Sequence, residues 1–456
     1  MTLSRTVDAF VTDPRSRQLI ERPRIYLDGG WEVGEGEVFD KLNPSTGELL
    51  STIRLASFQQ VARALAAARR AHDGGAWSRT RPLDRSKKLY ELLDLVEANR
   101  AFLTEVLIAD VGAPVSLAET RQIGGMTGHL AWFAEAARRG PDGWYEKALP
   151  PDVPSSGAVS SSLLVREAAG VVAAFPAYNY PYTNTIWKLA AALAAGCSVV
   201  VQPSTRTALS VIALWTLIEQ LDLPPGVVNL VLGEADSGRQ LTTAEEVDLV
   251  SFTGSAAVGG AVMAQSAPSI KRVVLELGGK SASILLPGVD VETVAGTAIN
   301  RLMSNTGQAC GATSRILVQQ QDLARFTASA VKHIEALRVG DPRDPQTDLG
   351  PLIDARHRDS VQGYIDRAIA AGARVVAGGG PVLAELEGGF FLNPILLAGL
   401  PNDSELCQQE QFGPVGAVLT YRDVDEAVAI ANDSQYGLNA SVYGPVADAM
   451  RVARQV

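Results

Sequence analysis

Little in this chain of 456 residues points toward nucleic acid or membrane. Charged residues make up 20%, and acidic side chains outnumber basic ones by 50 to 40, for a net charge of −10. A binder of nucleic acid or anionic lipid would carry a basic patch, so neither partner is expected. Cysteine is scarce: Cys197, Cys310 and Cys407 are the full set. That odd, small number makes no disulfide framework and suits a reducing, cytoplasmic compartment. His72, His129, His333 and His357 lack ligand spacing, so no metal site is expected. Long apolar runs are missing too. The stretch Leu189 to Val201 is broken by Gly196 and Ser198 and falls short of the roughly 20 residues of a membrane span, which marks it as buried core. Met1 to Arg15 has no apolar signal core and reads as a frayed polar arm.

What is present is a large α/β composition. Hydrophobic residues reach 46%, and 42 glycines and 24 prolines are spread without a short period. Disorder, coiled coil and collagen are therefore excluded, and the length allows two to four structural units. Gln59–His72 and Arg85–Asn99 have the spacing of amphipathic helices. From Gly170 the rhythm changes. Apolar runs at Gly170–Phe175, Ser198–Gln202, Val227–Leu232, Val247–Phe252 and Arg272–Leu275 alternate with helical stretches at Thr183–Ala195, Thr207–Leu221 and Ser255–Gln265. Such alternation predicts a parallel sheet covered on both faces, a Rossmann-like unit. A second series follows Gly279: strands Ser281–Leu285, Ser314–Gln319 and Val415–Tyr421, and helices Val291–Ser304, Asp322–Leu337, Arg358–Ala371 and Val424–Asn432. The expected division is a first α/β domain from residues 20–148 and 167–278 and a second from 279–456. The Pro- and Ser-rich segment 149–166 between them is a linker or a bridging hairpin.

Four places stand out chemically. Cys310 is flanked by Gly307 and Gly311; it is either a small buried hydrophobe or a nucleophile reached by a ligand across a tight backbone. Glu276 ends an apolar run and precedes two glycines, as an edge carboxylate or as a base or ligand clamp beyond a strand's carboxyl end. Asn179 lies between a strand and a helix; it is a turn or cap residue, or an amide donor to an oxyanion. Phe252-Thr-Gly-Ser-Ala-Ala-Val-Gly259 enters a helix whose free N–H groups suit a pyrophosphate, although it is not a Gly-x-Gly-x-x-Gly pattern.

Taken together these segments resemble the aldehyde dehydrogenase superfamily over nearly the full chain. The matching motifs, in family order, are Tyr178-Asn-Tyr-Pro181 with Trp187-Lys188, Phe252-Thr-Gly-Ser255 with Gly259, Leu275-Glu-Leu-Gly-Gly-Lys280, Gly307-Gln-Ala-Cys310 with Arg315, Glu410-Gln-Phe-Gly-Pro414 and Tyr436-Gly-Leu-Asn439. The resemblance implies an NAD(P)-dependent oxidation of a small-molecule aldehyde to a carboxylic acid. Cys310 would attack the carbonyl as a thiolate and pass through a thiohemiacetal and a thioester. Asn179 would stabilise the oxyanion, Glu276 would activate water with a pKa raised by burial, and Lys188 would assist placement or proton relay. Gly254, Ser255, Gly259, Gln202, Leu277, Glu410 and Phe412 would bind the cofactor. Tyr180, Tyr182, Thr183 and Ala309 would wall the substrate, and the chains would form homodimers or homotetramers.

The sequence departs from the family in three places, the mildest being Ala177 in place of the usual proline before Tyr178-Asn179. Where the family has Lys-Pro-Ser-Glu, this chain reads Gln202-Pro-Ser-Thr205, so both residues that read the adenosine ribose are changed. Losing the carboxylate at 205 removes repulsion of a 2′-phosphate. NAD is still expected to be preferred, within about tenfold, with NADP possible. Arg206 is read as a solvated residue at a helix start, or, if it points inward, as a clamp on a 2′-phosphate. The family continues for some tens of residues beyond the equivalent of Val456, with a substrate-lining loop and a docking strand, and a chain ending there is expected to stop at dimers. Two other readings stand beside the hydrolytic enzyme: a CoA-acylating relative, disfavoured by Glu276, and a catalytically silent scaffold.

Overall fold

The computed structural model describes residues 4–139, 146–148 and 159–456. The apolar runs assemble into two sheets. The first is ordered Arg272–Glu276, Leu249–Thr253, Val171–Phe175, Ser198–Val201, Val228–Leu230, Ile25–Leu27 and Gly30–Glu32. Its first five strands are parallel and the last two are antiparallel. Val171–Phe175 and Ser198–Val201 are buried along their whole length. Helices Phe58–Asp73 and Pro181–Ala195 pack on them, which is why these strands read as unbroken apolar runs. Helix Pro181–Ala195 stops at Gly196, whose φ of +92° is a left-handed cap that glycine takes without steric cost.

From Val171–Phe175 the chain builds outward on one side, then crosses to the other for Leu249–Thr253 and Arg272–Glu276. The order therefore reverses beside Val171–Phe175. A crevice opens beyond the carboxyl ends of strands at such a switch point.

The second sheet is ordered Arg374–Gly378, Ile395–Ala398, Val415–Tyr421, Arg315–Gln319, Ala282–Leu285 and Ala440–Tyr443, with Arg374–Gly378 antiparallel to its neighbour. Neighbouring residues on its strands feed opposite cores. Ile284 and Leu317 join one cluster, while Leu285 and Val318 join the other. Two antiparallel pairs stand apart, Val38–Leu42 with Leu49–Arg54 and Glu146–Ala148 with Leu163–Val165. The second overlaps the hairpin expected over 149–166, but its first strand precedes that range, and 149–158 lie outside the described residues.

One expectation about the fold fails, and one helix goes unread. Within the arm expected over Met1 to Arg15, the described residues from Ser4 on are not frayed: Ser4–Phe10 and Pro14–Glu21 are helices, and Val7, Phe10 and Val11 are buried in the main core. The polar residues there are tethered. The Glu105 carboxylate accepts from Thr12 N at 2.9 Å and Asp13 N at 3.0 Å, and the Arg343 guanidinium lies 4.3 Å from the centre of the Phe10 ring. Helix Arg100–Val111 went unread because it is buried on nearly every side from Phe102 onward, so it carries no amphipathic period.

Among the described residues no helix is long and apolar enough to cross a membrane. Nor does any group of three or more His, Cys, Asp or Glu side chains gather among them to hold a metal ion.

Candidate active site

A cleft of about 1940 Å³ opens at the carboxyl ends of the first sheet and reaches across to the second. A single small ligand fills roughly 300–1,000 Å³, so there is room for two. Asn179, Glu276 and Cys310 share its walls with Gly254, Gln202 and Glu410.

Cys310 is half-buried in the loop between helix Val291–Met303 and strand Arg315–Gln319. Ahead of it, Asn305, Thr306 and Gly307 have φ of 53°, 55° and 72°. Left-handed backbone is costly for the first two, Thr306 above all, and hydrogen bonds hold them there. Asn305 Nδ2 donates to the carbonyls of Asn179 and Gln308 at 3.0 and 3.1 Å, and Thr306 Oγ1 to that of Gly350 at 3.0 Å. Gly307 has no alternative, since a Cβ would lie 1.9 Å from the Gly413 carbonyl oxygen.

Asn179 follows the central strand of the first sheet and is 4% exposed. Its Oδ1 accepts from Asn184 Nδ2 at 3.2 Å, and its Nδ2 donates to the Gln308 carbonyl at 3.0 Å. The amide is thus oriented, with its NH₂ turned to the loop that carries Cys310.

Burial pushes the Cys310 thiol above its ordinary value, and the carboxylates of Glu410 and Glu276 add to this. The backbone N–H groups of Gly311 and Cys310 oppose it. The resting group is a thiol, so the thiolate expected from sequence has to be generated by a base. Glu276 is exposed, not buried as expected, because Arg272–Glu276 forms the edge of its sheet. Lys188 is buried behind the cleft wall, with Nζ 3.2 Å from Ser251 Oγ. Burial lowers its pKa to about 8, and nearby Glu276 pulls the other way. Tyr180, Thr183 and Ala309 line the cleft. Tyr182 does not: it is fully buried and its hydroxyl donates to the Leu103 carbonyl at 2.8 Å.

At the other end, Ser255 caps helix Ala256–Ser266, whose first N–H groups have no intrahelical acceptor. Leu277 packs so closely on Gly259 that a Cβ there would lie 2.5 Å from Leu277 Cδ2. Glu410 Oε1 accepts from Gly279 N at 2.9 Å, while Gly278 leaves room for its other oxygen. Burial raises the pKa of Glu410, against the Gly279 N–H and Lys280. Phe412, at φ 57°, is fixed by His357, whose Nε2 donates to its carbonyl at 2.8 Å. Gln202 Nε2 donates to the carbonyls of Gly233 and Glu234 at 3.1 and 3.0 Å. Arg206 is only partly solvated: it lines the cleft, pairs with Asp354 at 3.0 Å and lies 5.2 Å from the Tyr178 ring centre.

The sequence model of the aldehyde dehydrogenase family matches residues 31–456. The chain belongs to the aldehyde dehydrogenase family. It is an oxidoreductase of the aldehyde-oxidising class. Among similar members, the aminoacetaldehyde dehydrogenase of Pseudomonas aeruginosa is 35% identical over 438 residues, covering 95% of this chain and 86% of that one. The betaine aldehyde dehydrogenase of Bacillus subtilis is 35% identical over 425 residues, covering 92% and 84%. The crystal structure of Staphylococcus aureus betaine aldehyde dehydrogenase in complex with NAD+ matches with a TM-score of 0.92 at 31% identity, over 97% of this chain and 87% of that one. Aldehyde dehydrogenase C of Pseudomonas syringae, in complex with NAD+ and octanal, matches at 0.90 and 31%, over 98% and 88%.

In this aldehyde dehydrogenase the fold gathers Cys310, Asn179, Glu276, Gly254, Ser255, Gln202, Leu277, Glu410 and Phe412 on one cleft. Gly259 lies just beneath, against Leu277, and Lys188 behind. Sequence reasoning missed the left-handed Asn305–Thr306 pair, His357 behind Phe412, and Glu234, whose Oε1 accepts a hydrogen bond from the Thr205 hydroxyl. Of these, Glu234 had a readable signal, since it follows an apolar strand at its carboxyl end, where ligands gather.

Proposed function

We propose that this chain oxidises a small-molecule aldehyde to its carboxylic acid with NAD, using Cys310 as nucleophile, Asn179 as oxyanion donor and Glu276 as base. The observation that carries the reading is the Asn179 amide, oriented by Asn184 and bonded to the backbone two residues ahead of Cys310.

The residues present fit the cofactor. Gln202 Oε1 is buried without a hydrogen-bond partner among the described residues, and such an acceptor wants a donor such as a ribose hydroxyl. At Gly259 the close-packed wall excludes any side chain, which suits close approach of a pyrophosphate to the helix start at Ser255. Gly254 would hold it there, with Leu277 forming the wall. Glu410 would bond the nicotinamide ribose, and Phe412 would lie against the ring. Bound there, NAD would supply the hydride acceptor that the oxidation needs.

The protein's own part follows from its geometry. Glu276 takes the thiol proton as the Cys310 sulfur bonds to the carbonyl carbon. Charge moves to the aldehyde oxygen, to which the free N–H of the Asn179 amide and the Cys310 backbone N–H donate. Being exposed, Glu276 returns its proton to solvent between steps. It then draws a proton from the water that cleaves the thioester, releasing the acid and freeing Cys310. Lys188 steadies the negative charge of Glu276 from behind.

In this reading the first sheet and its helices form the cofactor domain and the second carries the nucleophile. The unpaired cysteines support a reducing, cytoplasmic setting. Val258, Met263, Ile270 and Val274 are exposed on and beside the edge of the first sheet, which supports a homodimer or homotetramer. NADH formation with a panel of aldehydes, with and without CoA, tests the activity. Turnover without CoA is expected. A strict need for CoA would indicate the acylating branch, and no turnover with any aldehyde would indicate a silent scaffold.

A further inference from the structure

The two residues that leave the family's Lys-Pro-Ser-Glu pattern, Gln202 and Thr205, are both tied to the turn Gly233–Glu234. Gln202 donates to both of its carbonyls, and the Thr205 hydroxyl donates to Glu234 Oε1. Glu234 precedes helix Ala235–Thr243, yet its side chain makes no capping bond. It faces the cleft, and its Oε2 has no hydrogen-bond partner among the described residues. A carboxylate thus stands where position 205 lacks one, brought from the end of strand Val228–Leu230 instead of Ser198–Val201. Buried Gln202 Oε1, also without a partner among the described residues, belongs to the amide that bonds the Glu234 carbonyl.

We propose that Glu234 reads the adenosine 2′-hydroxyl and rejects a 2′-phosphate, with Thr205 orienting it and Gln202 Oε1 as a second acceptor. The proposal rests on the reading of this cleft as a dinucleotide site. In open α/β sheets an acidic side chain at a strand end commonly accepts from that hydroxyl, and a like charge repels a phosphate. The nearest cation in sequence, Arg206, is engaged by Asp354 and Tyr178. Arg239, one turn into the following helix, also lines the cleft and is the competing phosphate reader.

Calorimetric titration of ADP-ribose and its 2′-phosphorylated form into the protein, with no aldehyde present, tests this without turnover. The wild-type chain is expected to favour ADP-ribose by more than tenfold, beyond the preference read from positions 202 and 205 alone. Glu234→Gln is expected to narrow the ratio by about ten- to hundredfold, the range of a charge-assisted bond. Thr205→Val, which removes the orienting hydroxyl, narrows it less. A ratio unchanged within twofold in Glu234→Gln, with ADP-ribose still bound, overturns the proposal and leaves the dinucleotide reading standing. Tight binding of the 2′-phosphate form that collapses in Arg239→Ala overturns it as well. Binding of neither ligand overturns both.

Discussion

The Asn179 side chain and the Gln308 backbone are joined by a 3.0 Å hydrogen bond from Nδ2 to the carbonyl oxygen. Asn179 belongs to the first sheet's central crossover and Gln308 to the loop entering the second sheet. Gln308 is anchored in turn, its Oε1 accepting from Ile353 N at 3.0 Å. The Asn179 amide and the loop that carries Cys310 are therefore one hydrogen-bonded unit, set across the join between the sheets.

Asn179→Ala removes a donor to the oxyanion and leaves the Gln308 carbonyl without this partner. kcat is expected to fall about 10²–10³-fold, while NAD affinity holds. Steady-state kinetics alongside NAD titration check this; a rate within threefold of wild type would show that the amide is structural.

Glu410→Gln takes away a negative charge that raises the Cys310 pKa. Lowering that pKa increases the thiolate fraction at any pH below it. Alkylation of Cys310 by iodoacetamide near pH 7.5 is therefore expected to speed up, and the pH at which the rate levels off to move down. Mass spectrometry separates Cys310 from the buried Cys197 and Cys407. Slower alkylation would contradict the electrostatics.

The strands at Val171–Phe175 and Ser198–Val201 were legible because double burial leaves a continuous apolar run. Cys310, Glu276 and Asn179, which the fold gathers on one cleft, were legible through motif order. Other features depend on partners far along the chain. Glu276 is exposed because Arg272–Glu276 is placed at a sheet edge, a matter of topology that its own residues do not encode. The Thr205–Glu234 bond joins the ends of two strands. Asn305 and Thr306 take left-handed backbone only because Asn179, Gln308 and Gly350 accept from their side chains.

Gly259→Ala places a methyl group 2.5 Å from Leu277 Cδ2. Overpacking of this kind costs about 1–3 kcal/mol, spent here on distorting the cofactor wall. NAD affinity is expected to fall about five- to hundredfold and to recover partly in Gly259→Ala with Leu277→Ala. Fluorescence titration of NAD decides; no recovery in the double variant would place the cost elsewhere.

Lys280 is buried against Gln411, and burial lowers its pKa to about 7. Between about pH 7 and the ordinary lysine value near 10.4, the unfolded chain binds a proton that the folded one does not. Stability therefore rises with pH across that window. In Lys280→Met the rise is expected to flatten. Urea midpoints from pH 7 to 10 measure it, and an unaltered slope would show that Lys280 stays charged in the fold.

The division of labour between Cys310 and Glu276 is tested most directly by mixing Glu276→Gln with NAD and an aldehyde and measuring early NADH and intact mass together. The predicted result is a burst of about one NADH per chain, with slow turnover after it and an acyl adduct on Cys310. Steady turnover at the wild-type rate, with no burst and no adduct on Cys310, would contradict the account.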